Sequence, residues 1–268
     1  MPVPIACGFV LLGVAVGALG TLIGAGGGFA LMPLLVWLDP HAAPDLLTGT
    51  SLAVVFVNAL SGSLAYARMR RIDYRAGLLF ALAGLPGAVL GVWATHRLER
   101  RSFDPLLGVA LILLAAFVLA RPAARPRVPA PGQGRTLVEA DGTVHTYAPR
   151  TGLGALLSLG VGFVSSLLGI GGGIVHVPLM VYVLGFPVHV ATATSHFVLA
   201  IVVLAAVVTH AASGTLAPAL GRIVPLAIGV VPGAWLGAWL SSRLEGRWIL
   251  RSLALALVAA GLRLVLVR

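Results

Sequence analysis

Gly24-Ala25-Gly26-Gly27-Gly28 interrupts the first apolar stretch of the chain, and Gly169-Ile170-Gly171-Gly172-Gly173 interrupts another 145 positions later. Around them Gly17 to Leu35 aligns without a gap with Gly162 to Met180, placing Pro33 on Pro178. This is an internal repeat. Glycine costs about 1 kcal/mol relative to alanine in a helix interior, so three consecutive glycines inside an apolar run signal a helix that is broken on purpose. Broken backbone at membrane depth is tolerated only where protein buries it or it lines a cavity. Glycine-interrupted segments at matching places in two halves point to a transporter binding site.

Composition sets the class. The chain has 268 residues, 59% of them apolar and 10% charged, with a mean hydropathy of +1.04; soluble domains carry about 25% charged residues. It reads as an all-α polytopic membrane protein. The eight carboxylates fall at or beyond the ends of apolar runs, where a charge avoids the cost of the bilayer centre. There is no lysine, which excludes a Walker A loop, a Schiff base and a lysine general base. The net charge of +10 comes from arginines in short loops. Positive-inside bias and anionic lipid account for these more simply than nucleic acid does. Cys7 stands alone, so neither a disulfide framework nor a thiolate metal cluster is expected, and no cofactor is implied. The N-terminus is apolar from the start and reads as a retained first span, not a cleaved signal.

Apolar runs lie near 3–23, 29–38, 46–66, 76–95, 105–120, 152–168, 174–184, 190–211, 223–240 and 248–267. Those near 20 residues can cross a ~30 Å core. The runs 29–38 and 174–184 are half that length and read as half-helices continuing from the glycine breaks. The expected division is a transmembrane repeat 1–120, an extramembrane Pro/Arg-rich linker 121–150 and a second repeat 151–268. Within the linker, residues 136–147 alternate around Asp141-Gly142, a hairpin signal. Further matches are Thr50-Ser51 with Thr194-Ser195, Pro86-Gly87-Ala88 with Pro232-Gly233-Ala234, and Arg97-Leu98-Glu99 with Arg243-Leu244-Glu245. Arg68, Arg70, Arg71 and Arg75 crowd one loop while 212–218 has no arginine, an asymmetry that favours inverted copies with the arginine-rich loop and the linker in the cytoplasm. The basic loops at 97–101 and 243–251 point the other way.

The doubled motif Gly24-Ala-Gly-Gly-Gly-Phe-Ala-Leu-Met-Pro33 with Thr50-Ser51, and Gly169-Ile-Gly-Gly-Gly-Ile-Val-His-Val-Pro178 with Thr194-Ser195, resembles the TauE/SafE sulfite exporter family, also called the toluene sulfonate uptake permease family. The resemblance covers nearly the whole chain outside the linker. It implies a multi-pass permease of the bacterial inner membrane that moves sulfite, a sulfonate or sulfoacetate as a secondary carrier.

The motif supplies chemistry of its own. A helix starting at a glycine break presents unpaired N–H groups and its positive dipole end, and glycine lets an oxyanion approach. The expected anion site is therefore Gly24, Gly26, Gly27, Gly28, Gly169, Gly171, Gly172 and Gly173, completed by the hydroxyls of Thr50, Ser51, Thr194 and Ser195. The plainer reading is that the glycines permit close helix packing and the hydroxyls bond back to their own helices. His176 and His196 replace Leu31 and Leu52 of the first half and are candidates for substrate contact or proton coupling; the competing reading is a neutral buried histidine bonded to a carbonyl. His189 and His210 read as buried or interfacial, and Asn58 as helix glue. Neither metal-ligand spacing nor a well-placed Ser-His dyad is present, because Ser195 and His196 project about 100° apart on a helix. Expected partners are the sulfur anion, protons, the lipid bilayer and, as an assembly, a homodimer. The alternatives to an exporting carrier are an anion channel with the same electropositive site and a membrane-embedded enzyme or scaffold.

Overall fold

A computed structural model describes residues 3–119 and 134–244, with 248, 251, 255, 258 and 259 beyond them. Helices α1 (Val3–Ile23), α2 (Gly28–Leu38), α3 (Pro44–Arg68), α4 (Tyr74–Thr95) and α5 (Arg100–Leu119) precede a hairpin of β1 (Arg135–Val138) and β2 (Val144–Tyr147). Then follow α6 (Thr151–Leu168), α7 (Gly173–Pro178), which runs on as a π-helical turn Leu179–Val183, α8 (Val188–Ala212) and α9 (Leu220–Ser241). The chain is an all-α polytopic membrane protein with this small hairpin. Six helices among the described residues are long and apolar enough to cross a membrane: α1, α3, α4, α6, α8 and α9 with its short lead-in from Ala217. Leu11, Leu82, Leu90, Val208 and Ile228 are exposed along them, as suits side chains facing acyl chains. The expected run 248–267 and the first part of the linker, 121–133, lie almost wholly outside the described residues.

Small residues decide which helices touch. Gly13 and Gly17 of α1 lie against the backbone of Leu226 and Val230, and Gly229, Gly233 and Gly237 of α9 lie against Val10, Val14 and Ala18. The same device joins α4 to α6, with Gly84, Gly87 and Gly91 against Ser158, Leu159 and Phe163. Lipid tails are as apolar as leucine, so close backbone approach and dispersion hold such helices together where the hydrophobic effect cannot. These contacts run α1 parallel to α9 and α4 parallel to α6, joining the first helix of each half to a later helix of the other. Between these pairs, α3 and α8 pack antiparallel. Thr48 near the start of α3 meets His210 near the end of α8, and Tyr66 near the end of α3 meets His196 in the first half of α8. Two inverted copies of one unit would pack in this way.

The hairpin closes over one end of the bundle. Its register pairs Arg135 with Tyr147 and Val138 with Val144 around the turn at Asp141-Gly142, where the Thr143 N–H donates to Asp141 Oδ1 at 2.9 Å. That bond holds the Asp141 carboxyl below its ordinary range. Buried ion pairs tie the hairpin down. Arg71 Nε donates to Glu139 Oε2, His145 Nε2 lies 2.7 Å from Glu139 Oε1, and Arg135 Nη1 donates to Asp73 Oδ2 at 2.9 Å. Tyr147 donates its phenolic proton to Asp73 Oδ2 at 2.9 Å and stacks near Phe186. Burial, and then the Asp73 charge, raise the Tyr147 phenol well above its ordinary value. A raised folded-state value stabilises fully below the unfolded value of about 10 and is lost as pH climbs beyond it. The hairpin is therefore expected to undock on raising the pH above about 10, and Tyr147→Phe to blunt that transition. Limited proteolysis across an alkaline pH series reads both; a hairpin equally protected throughout contradicts the expectation.

Candidate functional site

At both breaks the chain takes a left-handed turn that favours glycine. φ is 82°, 76° and 84° at Gly24, Gly26 and Gly27, and 67° at Gly169 and Gly171. The two turns meet. A Cβ at Gly28 would stand 2.5 Å from the Ile170 carbonyl oxygen, and one at Gly173 would overlap the carbonyl oxygen of Gly24. Each break is then clamped from the opposite half: Ser51 Oγ donates to Gly169 O at 2.6 Å, and Ser195 Oγ donates to Gly24 O at 3.1 Å. Four matched positions thus exchange partners across the centre of the molecule.

The first break leaves the N–H groups of Gly27, Gly28 and Phe29 without an acceptor among the described residues, because Ala25 and Gly26 donate back to Gly20 O and the bonds of α2 begin with Ala30 and Leu31 to Gly27 O. The second is arranged differently. Ser165 Oγ accepts from the Gly172 N–H and caps α7, whereas its counterpart in α1 is Gly20, whose missing side chain lets α1 settle directly on Gly27. A serine stands off the backbone where a glycine collapses onto it.

Beside this cap lies a small cavity, about 20 Å³ of it open to the centre of a water molecule, lined by Ser158, Val161, Gly162, Ser165, Gly172 and His176 with Val198, Leu199, Val202 and Val203. Ser158 donates to Gly154 O at 2.7 Å and so offers a lone pair to His176 Nε2, 3.2 Å away. That assigns the ring proton to Nε2. His176 Nδ1 is buried with no partner among the described residues, and the Ser165 hydroxyl, accepting from Gly172, keeps its own proton available. The lining contains no carboxylate. Hydroxyls and an imidazole thus stand beside aliphatic side chains, with room for little more than a water molecule in this state.

Of the predicted site residues, Gly172 and His176 line the cavity, and the other glycines of the two breaks do not. The four predicted hydroxyls have other partners: Ser51 and Ser195 hold the break carbonyls, Thr50 donates to Leu46 O on its own helix at 2.6 Å, and Thr194 accepts from the Asp73 N–H at 3.0 Å. His196 is fully buried away from the cavity, edge-on to Tyr66 at 5.6 Å, with neither ring nitrogen partnered among the described residues. Near it Thr21 donates to Asn58 Oδ1 at 3.0 Å, and Tyr66 donates to Thr21 O at 2.7 Å. Asn58 therefore does act as glue between α1 and α3. The residues overlooked in the sequence are Ser158 and Ser165. They replace Gly13 and Gly20 of the first half and share a face of α6 at a spacing of seven residues; breaks in the repeat's symmetry marked them as they marked His176.

Removing either clamp costs one buried hydroxyl-to-carbonyl bond. Ser51→Ala and Ser195→Ala are each expected to lower stability by about 1 kcal/mol, and together by more than the sum because they hold one crossing. Thermal unfolding of the purified protein in detergent measures this; strict additivity argues against a shared crossing.

A family model described as sulfite exporter TauE/SafE matches residues 9–264. The chain is 33% identical over 267 residues to the probable membrane transporter protein YunE of Bacillus subtilis strain 168, covering 96% of each chain. It is 26% identical over 262 residues to the probable membrane transporter protein YjnA of the same organism, covering 96% of this chain and 98% of the other. A probable membrane transporter protein of Sinorhizobium fredii, y4hK, is 28% identical over 265 residues, 97% of each chain. No solved structure matches the chain.

Proposed function

Because the chain belongs to the TauE/SafE sulfite exporter family, and so is a multi-pass transporter of the bacterial inner membrane, we propose that it exports a small sulfur-containing anion. Sulfite or an organosulfonate such as sulfoacetate is the cargo, moved by alternating access of the two halves. The observation that carries this reading is the cavity at the second break. Once widened, it offers the Ser165 hydroxyl proton and, when protonated, His176 Nδ1 to an anionic head, with aliphatic side chains beside them for a short carbon chain. A cation would call for carboxylates there. The close crossing of the two breaks, Gly28 on Ile170 and Gly173 on Gly24, would separate the two sides as a carrier requires, which favours it over the open-channel alternative.

Flux of radiolabelled sulfite in proteoliposomes, with sulfoacetate, taurine and sulfate as competitors, tests the proposal. Saturable flux competed by a sulfonate is expected. Ser165→Ala removes one hydrogen bond to a charged group, worth roughly 1.5–3 kcal/mol, and should weaken half-saturation by roughly tenfold or more. His176→Gln should weaken it less and alter its pH profile. Absence of flux for every one of these anions, with folded protein, removes the substrate assignment.

A further inference from the structure

A second group of titratable residues lies outside the cavity, at the end of the bundle away from the hairpin. His210 occupies the last turn of α8 and is fully buried. His96 caps the end of α4 with its ring 5.5 Å from that of His210, and its Nδ1 is 3.4 Å from Asp45 Oδ2 in the first turn of α3. We propose that His210, His96 and Asp45 form a proton-binding site, distinct from the anion cavity, whose occupancy is transmitted to the second glycine break through Thr48.

The hydrogen-bond directions carry the argument. Thr215 gives its hydroxyl proton to His210 O at 2.8 Å, so it turns a lone pair toward His210 Nδ1, 3.3 Å away. Thr48 gives its proton to Asp45 O at 3.2 Å and likewise turns a lone pair toward His210 Nε2 at 3.5 Å. Both ring nitrogens therefore face acceptors. A neutral imidazole has one N–H and can serve one of them, whereas the imidazolium serves both. The C-terminal end of α8 favours the cation further. Among the described residues, the titratable groups facing His210 are His96 from α4 and Asp45 from α3, and Gly49 lies beside its ring. Two imidazoles this close repel one another when both are charged, and the Asp45 carboxyl stands beside them. The side chains of His96 and Asp45 are each 27% exposed, so His96 meets water and His210 is the inner stop.

Thr48 connects the proton to the crossing. A Cβ at Gly169 would stand 2.9 Å from Thr48 Cα, and Ser51, one turn further along α3, holds the Gly169 carbonyl. Protonated His210 draws Thr48 toward α8. Deprotonated, it releases Thr48 and the break that rests on it.

The site stands without the sulfur-anion reading, and two experiments keep the two apart. In the full chain with ¹⁵N-labelled histidine in nanodiscs, His210 is expected to pass from cation to neutral ring along a pH series. His96→Gln or Asp45→Asn should move that midpoint by about half a pH unit or more. A His210 ring that stays neutral throughout, or a midpoint indifferent to both substitutions, overturns the proposal. In sulfite-loaded proteoliposomes, an imposed pH gradient should accelerate wild-type flux, and His210→Gln should abolish that response. A response retained in His210→Gln also overturns it. If the wild type moves no sulfite, the anion reading fails, and the histidine titration still decides this site.

Discussion

Gly173→Ala is expected to melt well below the wild type and to lose transport, although it adds a single methyl group. Its Cβ would overlap the carbonyl oxygen of Gly24 and stand 2.8 Å from Ala25 Cα, both main-chain atoms of the opposing break that no rotamer change can move. Overpacking of this kind costs about 1–3 kcal/mol, and here it also pushes Gly24 away from the Ser195 hydroxyl that holds it. Gly160→Ala supplies the control. Gly160 lies within α6 with open space around it, so the same methyl should stabilise by roughly 0.5–1 kcal/mol. Opposite shifts in melting temperature for the two variants, in one detergent, are the expected result. If Gly173→Ala melts with the wild type, the two breaks do not pack as described.

Glu139→Ala should have the larger effect on the hairpin. Glu139 and Arg71 are 4% and 6% exposed and pair with each other, and the same carboxylate also holds His145. Removing one partner of a buried pair leaves an uncompensated charge, at a cost of about 3–5 kcal/mol. A four-residue ladder cannot absorb that, so the hairpin should lift to let Arg71 hydrate. Trypsin cleavage after Arg135 or Arg150 is expected to accelerate many-fold, while the transmembrane helices stay protected. Arg71→Met combined with Glu139→Leu removes both charges and should be cleaved more slowly than Glu139→Ala alone. Equal protection of Glu139→Ala and wild type would show that the ion pair does not hold the hairpin.

Much of this architecture was legible in the sequence because it depends on local chemistry and on a repeat. Glycine runs inside apolar segments placed both breaks. Helix-length runs of hydrophobic residues placed the spans, and Asp141-Gly142 placed the hairpin turn. The proposed site was legible only in part. His176 stood out as a histidine in an apolar run, but Ser158 and Ser165 looked like ordinary small residues of a membrane helix. Their standing depends on α8 laying Val198, Leu199, Val202 and Val203 opposite them. The linker read as a segment without chemistry, since Arg71, Asp73, Glu139 and Arg135 are far apart in the chain and their burial against one another has no sequence signature.

The sequence by itself determined that the chain lives in a bilayer, breaks its helices at two matched glycine runs and resembles the sulfite exporter family, because composition, glycine propensity and a doubled motif act residue by residue. Only the tertiary structure decided which hydroxyls remain available. Ser51, Ser195 and Thr50 each have one proton, and the carbonyl that takes it is chosen by the helices brought alongside. The same packing placed His210 between two committed hydroxyls and left Ser165 facing the cavity.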